Sequence, residues 1–210
     1  DKVPGYSCYS RVTLRSDAAD SYKALRDEVV SLGGVLTSAG GRRGLSSKAG
    51  PARSKKSMHY VGLALDLALP TGMQKPAKDP YLVEMEDDRY WRIWCKTDNE
   101  DVPEVEIKAA YVTRAGGKSV LRFRTIKCRA FDLTALFKKH GWDRIRGRRS
   151  FYRGGAYGGA EWWHFQYEAA LTPGKSKFGD ELLKVYSLSQ AKKFAYWNVS
   201  KNCVFGKNWF

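Results

Sequence analysis

The stretch SMHYVGLALD, residues 57–66, combines the composition of a buried core with two side chains that commonly bind metal ions. The residues between His59 and Asp66 are apolar, small or aromatic, and a buried carboxylate among them needs a partner. Residues 59 and 66 are too far apart along the chain to share one position in a strand ladder. A backbone that bends at Gly62 from a loop into a strand would nevertheless bring both side chains together. We therefore expect a strand over residues 62–69 that presents His59 and Asp66 to one metal ion.

A second segment, EWWH at residues 161–164, supplies the partners that this interpretation needs. Zinc favours a tetrahedral arrangement of nitrogen and oxygen ligands, and catalytic sites keep three protein ligands and one open position. His59, Asp66 and His164 would fill those three positions. Glu161 would then be free to act as a general base that accepts a proton from water.

The geometry of EWWH sets a condition on this site. In a regular strand residues 161 and 164 point to opposite faces. We therefore expect a strand over residues 161–168 that is interrupted by a turn at Trp162-Trp163, unless Glu161 belongs to the preceding loop. His140, in contrast, stands beside lysines at the end of a predicted helix, where a cation suits the helix dipole, and we interpret it as structural.

Both segments resemble the signatures of the zinc D-Ala-D-Ala carboxypeptidase and dipeptidase family, which includes VanX-like and VanY-like enzymes and phage L-alanyl-D-glutamate endopeptidases. The first segment matches SxHxxGxAxD at Ser57, His59, Gly62, Ala64 and Asp66. The second is similar to ExWH at Glu161, Trp163 and His164. The resemblance implies that His59, Asp66 and His164 bind Zn²⁺ and that Glu161 is the catalytic base.

The resemblance also implies an α+β fold, a small antiparallel sheet with flanking helices, as in lysostaphin-type peptidases and the hedgehog signalling domain. The family usually carries an arginine on the loop before the first signature, and TSAGGRR at 37–43 is the matching place, one residue longer. Arg42 is our first choice and Arg43 our second for contacting the oxyanion or a substrate carboxylate. Ser57 orients the loop or the substrate, and Trp163 lines the substrate cleft.

The expected organisation is a zinc peptidase domain over residues 1–170 with an inserted segment at about 74–128. Residues 171–210 form a C-terminal extension packed on the same domain, with one or two short helices. The other predicted elements are a helix over 17–32, a strand over 35–39, a loop-rich stretch over 74–104, a hairpin around Ala115-Gly116-Gly117-Lys118 and a helix capped by Asp132.

Net charge bears on the partners of this protein. The formal charge is +15, from 37 basic and 22 acidic residues, and such a balance favours polyanionic partners. Peptidoglycan peptides and an anionic cell-wall surface fit this charge. The resemblance implies a zinc-dependent peptidase of such peptides, so the predicted function is hydrolysis of stem peptides, by carboxypeptidase or endopeptidase action. One alternative is a non-catalytic zinc-binding module of the same fold. A weaker one is a nucleic-acid-binding protein, for which the sequence shows no RNP or zinc-finger motif.

Cysteine usage favours an exported protein. Four cysteines, at positions 8, 95, 128 and 203, show no CxxC spacing, and an even, widely spread count suits two disulfides. Three connectivities are possible, of which we select Cys8–Cys203 with Cys95–Cys128; four buried thiols in a cytosolic protein are the alternative. The chain starts at Asp1 rather than Met, and it lacks an apolar run of about eighteen residues. We therefore expect a processed protein without a membrane span. It is expected to be a monomer that is periplasmic or secreted, or a lysin encoded by a phage.

Overall fold

The structure, a computed structural model, describes residues 1–47, 56–87 and 89–193. The helices of this part are α1 (Ser16–Ser31), α2 (Leu133–Lys139), α3 (Arg149–Tyr152), α4 (Phe178–Leu183) and α5 (Leu188–Lys192). The strands are β1 (Ala64–Asp66), β2 (Tyr81–Asp87), β3 (Tyr90–Lys96), β4 (Glu104–Ala115), β5 (Lys118–Asp132), β6 (Trp142–Arg144) and β7 (His164–Tyr167). Two antiparallel sheets and a few helices agree with the predicted α+β class.

The smaller sheet has the strand order β1-β7-β6 and carries both signature segments. Strand β1 is shorter than the predicted 62–69 because a 3₁₀ turn, Met58–Val61, precedes it and a second one, Leu69–Thr71, follows it. Strand β7 starts only at His164, after a turn at residues 162–163. Strand β7 therefore begins at one candidate ligand, His164, and strand β1 ends at another, Asp66.

The segment at 35–39 forms no regular strand, so that prediction is wrong. It runs beside β1 and is joined to it at its far end, where Ala39 N–H donates to the Asp66 carbonyl over 2.7 Å. Earlier backbone groups are bonded elsewhere: Thr37 N–H donates to the Tyr81 hydroxyl over 2.8 Å. The Tyr81 side chain and the backbone of the N-terminal segment, through Tyr9 N–H to the Ser38 carbonyl, thus bond to residues 35–39 where a regular sheet would have a neighbouring strand.

The segment predicted as an insertion, about 74–128, lies mostly in a small closed barrel with the order β2-β3-β5-β4, which extends from Tyr81 to Asp132. The prediction of a loop-rich stretch over 74–104 is wrong, because β2 and β3 lie within it. Alternate residues of β3 are buried, Trp91, Ile93 and Cys95, and this period of two is the mark of a strand. Acidic residues nearby obscured that alternation in the overall composition.

The predicted hairpin is confirmed. Strand β4 pairs antiparallel along its whole length with residues 118–129 of β5. Gly116 and Gly117 join them with φ angles of 55° and 76°, a conformation that two-residue hairpin turns require and glycine adopts without strain. The helix after the hairpin is confirmed too, since the Asp132 side chain accepts a hydrogen bond from Ala135 N–H at the start of α2 over 2.8 Å.

The barrel and the smaller sheet share one main core. Residues of β2 and β3 pack in the same cluster as residues of α1, α2 and β7, among them Tyr81, Trp91, Leu25, Phe137 and Phe165. Trp91 also donates its indole N–H to the Ala160 carbonyl over 2.8 Å. The barrel is therefore fixed against the residue that immediately precedes Glu161.

The predicted Cys95–Cys128 disulfide is wrong, because both cysteines are free thiols. Cys95 lies in the main core, whereas Cys128 packs against the small cluster of barrel residues around Leu82. Burial raises the pKa of the Cys95 thiol to about 12, so this group stays protonated. The proposed partner of Cys8, Cys203, lies outside the described residues, as do residues 48–55 and residues 194–210 of the C-terminal extension.

Membrane crossing finds no support in the helices that the structure describes. None of them combines the length and apolar character that spanning a bilayer requires. The longest, α1, has 16 residues, and only one side of it is buried.

Candidate metal centre

His59 is positioned by a tight turn followed by a glycine. Ser57 caps the 3₁₀ turn, and its hydroxyl accepts a hydrogen bond from His59 N–H over 3.4 Å. Gly62 then adopts a φ of 73°, and an added Cβ there would meet the Arg15 backbone nitrogen at 2.8 Å. Only glycine fits such a place without strain, so the bend expected at Gly62 is present. The observed role of Ser57 is to orient the loop.

Asp66 and His164 meet because they are direct cross-strand neighbours in the register of β1 and β7. Glu161 stands just before this sheet with a φ of 57°, in the left-handed region. His164 N–H donates to the Glu161 carbonyl over 3.2 Å, which closes the turn at Trp162-Trp163. The turn that the site requires is thus formed, and Glu161 precedes the strand.

The three predicted ligands converge on one point. His59 Nε2 lies 3.3 Å from His164 Nδ1, and His164 Nδ1 lies 2.9 Å from Asp66 Oδ1. His59 Nε2 is 3.2 Å from Asp66 Oδ2. Tetrahedral zinc with bonds of about 2.0–2.1 Å separates its ligand atoms by about 3.3 Å. These atoms therefore stand near three corners of a zinc site, and the group can hold a metal ion.

Hydrogen bonding favours the tautomer of His59 that a metal ligand needs. The Gly41 carbonyl, which only accepts, lies 2.6 Å from His59 Nδ1, so Nδ1 carries a proton and Nε2 presents a lone pair. Such a bond from the far nitrogen is the usual support of a metal-binding histidine. The lone pair of Nε2 faces a carboxylate oxygen of Asp66, and a cation or a proton must lie between these two acceptors.

Burial and charge suit an ion at this place. Only 3% of His59 and 8% of His164 are exposed. Burial by itself would raise the pKa of Asp66, but the adjacent imidazoles of His164 and His59 prevail and hold it well below its ordinary value. Asp66 is therefore a carboxylate, and its negative charge favours a bound cation.

Glu161 has a partner that the sequence did not single out. Its Oε1 accepts a hydrogen bond from Arg148 Nε over 2.9 Å, and the side chain is only 12% exposed. Arg148 is held in turn by its backbone N–H, which donates to the Gly159 carbonyl over 2.7 Å. In the sequence Arg148 is one of several arginines in a basic loop without periodicity. Nothing in the sequence distinguishes Arg148 from the other arginines of that loop. Nor does the sequence indicate that the Gly41 carbonyl is the partner of His59.

The two candidate arginines on the loop before the first signature contact aromatic rings. The Arg42 guanidinium lies 6.0 Å from the ring centre of Tyr186, and that of Arg43 lies 5.9 Å from the ring centre of Tyr60. Arg43 is tied to the site through its backbone, since its N–H donates to the His59 carbonyl over 2.8 Å. Within the described residues, no hydrogen bond or ion pair joins either guanidinium to the metal-binding group.

The two tryptophans of EWWH are both buried. Trp162 donates its indole N–H to the Tyr157 hydroxyl over 3.0 Å. Trp163 is 5% exposed, and its ring centre lies 5.4 Å from that of Tyr157. Burial raises the pKa of Tyr157 to about 12, so its hydroxyl stays neutral. In this structure the Trp163 side chain is buried and packs against the ring of Tyr157.

Comparisons of the chain with protein-family models, with curated proteins and with solved structures give no match. The class of protein is therefore defined by fold and site alone. The chain is a mixed α and β protein with two antiparallel sheets. Its smaller sheet carries a buried His-Asp-His group that can hold a metal ion.

Proposed function

We propose that this protein is a zinc-dependent peptidase that hydrolyses peptide bonds in bacterial peptidoglycan stem peptides. The observation that carries the proposal is the convergence of three acceptor atoms from His59, Asp66 and His164. Two imidazole nitrogens and one carboxylate are a donor set that suits zinc. Both segments that supply these atoms resemble the signatures of D-Ala-D-Ala peptidases, and we extend the proposal to their hedgehog-type fold.

In the proposed reaction each residue of the site has a separate role. Zinc held by His59, Asp66 and His164 would supply a Lewis acid that polarises the scissile carbonyl and activates water. Glu161 accepts the proton of the attacking water and passes it to the leaving amine. Arg148 occupies one oxygen of Glu161 and so leaves the other for the water.

The developing negative charge and the substrate need partners as well. Arg42 or Arg43 provides a guanidinium for the oxyanion or for a substrate carboxylate. The net charge of +15 attracts the protein to anionic cell walls. We propose action outside the cytoplasm, as an exported enzyme or a phage lysin, by a monomer. The cleavage either removes a terminal residue or falls within the stem peptide.

Hydrolysis of purified peptidoglycan tests this function. We expect the zinc-loaded protein to release defined peptide fragments, whose masses identify the bond that is cut. Removal of the metal by a chelator should abolish the release, and added zinc should restore it, because no other described group replaces the Lewis acid. If the zinc-loaded protein releases no fragment, the cell-wall substrate is rejected, and the non-catalytic zinc-binding module becomes the better interpretation.

Arg148 is a positioning residue in this proposal, and its replacement tests that role. We expect Arg148→Ala to lower kcat about 10- to 100-fold with little change in KM, because small displacements of a catalytic group are costly. Arg148→Lys should recover part of the loss, and the zinc content should remain that of wild type. Arg146→Ala is the matched control, since the Arg146 guanidinium lies over the Tyr90 ring, at 5.1 Å from its centre. An unchanged kcat in Arg148→Ala would contradict the role.

A further inference from the structure

A cavity of about 400 Å³ opens between the end of β2 and helix α3. It is separate from the His-Asp-His group, and its lining residues are Met85, Asp87, Arg89, Arg149, Tyr152 and Arg153. Among the described residues of the lining, three are arginines and one, Asp87, carries a carboxylate. Met85 and Tyr152 add apolar surface. A concave site with a few charged groups on an apolar wall is the usual form of a ligand pocket.

Two of the three arginines that line the pocket, Arg149 and Arg153, carry the argument for a ligand. Among the residues that the structure describes, neither Arg149 nor Arg153 forms an ion pair. Two other arginines differ, since Arg92 of β3 and Arg144 of β6 both bind Glu86. A concave surface with an excess of one charge attracts ligands of the opposite charge. The guanidinium group in particular matches the geometry of a carboxylate.

The walls of the pocket are held in place without a ligand. The Arg89 carbonyl accepts a hydrogen bond from Gly147 N–H over 2.8 Å. The ring of Tyr152 stacks on Trp91, with centres 5.7 Å apart and planes inclined by 11°. Trp91 itself belongs to the main core. A preformed site of this kind loses little entropy when a ligand binds.

The pocket is linked to the candidate catalytic carboxylate through consecutive residues. Arg148 binds Glu161, and Arg149 lines the pocket. One peptide bond separates these two arginines, and their Cα atoms are about 3.8 Å apart. An extended peptide of four or five residues spans about 13–18 Å. A substrate cut beside Glu161 is therefore long enough to carry a carboxylate away from that bond and into a neighbouring pocket.

We propose that this pocket binds a carboxylate of the peptide substrate that is remote from the bond being cut, and that Arg149 and Arg153 hold it. The identity of the ligand as a peptide rests on the proposed function, whereas the preference for a carboxylate rests on the pocket itself. Asp87, on the same wall, disfavours ligands with several adjacent negative charges. The pocket thereby selects peptides with a single free carboxylate at this position.

Two synthetic stem peptides test the proposal. One has its remote carboxylates free, and the other has them amidated, with the scissile bond unchanged. Binding is measured by calorimetry on the zinc-loaded Glu161→Gln protein, which prevents turnover. We expect amidation to weaken binding about tenfold, the effect of losing a charge-assisted pair at a partly exposed site. In the same protein with Arg149→Ala and Arg153→Ala, both peptides should bind equally, at the weaker affinity.

The matched control removes the same charge from another place. Arg122 and Arg124 are exposed on β5 and line neither the pocket nor the metal centre, so their double alanine variant should keep the preference for the free carboxylate. A preference that survives Arg149→Ala with Arg153→Ala overturns the pocket, and so does failure of both peptides to bind. Cleavage by wild type with such a result leaves the peptidase proposal standing. An Arg149-dependent preference without any cleavage by wild type supports the pocket and rejects the peptidase.

Discussion

Replacement of Glu161 by glutamine is expected to lower the rate of peptide hydrolysis by about 10²- to 10⁴-fold, the usual contribution of a general base. Glutamine has nearly the same shape but cannot accept a proton. Because Glu161 is not one of the three convergent ligands, the variant should retain the full metal content of wild type. The measurement is kcat on a stem peptide together with the metal content of both proteins.

Glu168→Gln is the control for the loss of Glu161. Glu168 directly follows β7, so it lies at the opposite end of that strand from His164. Its N–H donates a hydrogen bond to the Gly141 carbonyl over 2.9 Å. We expect its replacement to leave kcat within about threefold of wild type, as for a group outside the reaction. If Glu161→Gln were equally mild, Glu161 would not be the base. If it lost the metal, Glu161 would have to be counted among the ligands.

Loss of His164 is expected to abolish the stabilisation that zinc gives to the folded protein. At a free zinc concentration of one hundred times the wild-type Kd, binding stabilises the folded state by about 2.7 kcal/mol. That corresponds to a rise in Tm of about 5–10 °C for a chain of this size. In His164→Ala, a Kd weakened at least 100-fold would leave about 0.4 kcal/mol or less. Thermal unfolding with and without zinc measures the difference within each variant.

His140→Ala is the matched control, since it also removes an imidazole. His140 Nε2 is bonded to Glu28 over 2.8 Å, far along the chain from the candidate ligands. This variant should keep the full zinc-dependent rise in Tm. Asp66→Asn provides a second test that creates no cavity, and it too should lose the rise in Tm. A rise that persists in both His164→Ala and Asp66→Asn would show that zinc binds elsewhere.

The inserted barrel has a structural part in the proposed site. Trp91 of β3 binds the Ala160 carbonyl, one residue before Glu161. The residue before β3, Arg89, accepts a hydrogen bond from Gly147, one residue before Arg148. The barrel therefore braces both ends of the ion pair that orients the candidate base. This arrangement explains why a segment outside the family resemblance lies so close to the chemistry.

Several features follow from the sequence because neighbouring residues specify them. The apolar period of α1, the Gly116-Gly117 turn and the Asp132 cap act over a few residues, so their elements appear nearly where the pattern predicts them. The candidate metal ligands follow from the sequence for another reason. An imidazole and a carboxylate in an apolar run need a partner, and the resemblance at Glu161 and His164 indicated where that partner lies.

Only the tertiary structure decided the rest. Strands β2 and β3 become strands because β4, β5 and the main core give their buried faces a place to pack, and those partners are distant along the chain. The pairing of Arg148 with Glu161, the arginine-lined pocket and the free state of Cys95 likewise depend on how loops and sheets meet. The sequence by itself determined which side chains are candidates for metal binding and for a general base. Long-range packing determined their partners, because those contacts join segments that no local pattern relates.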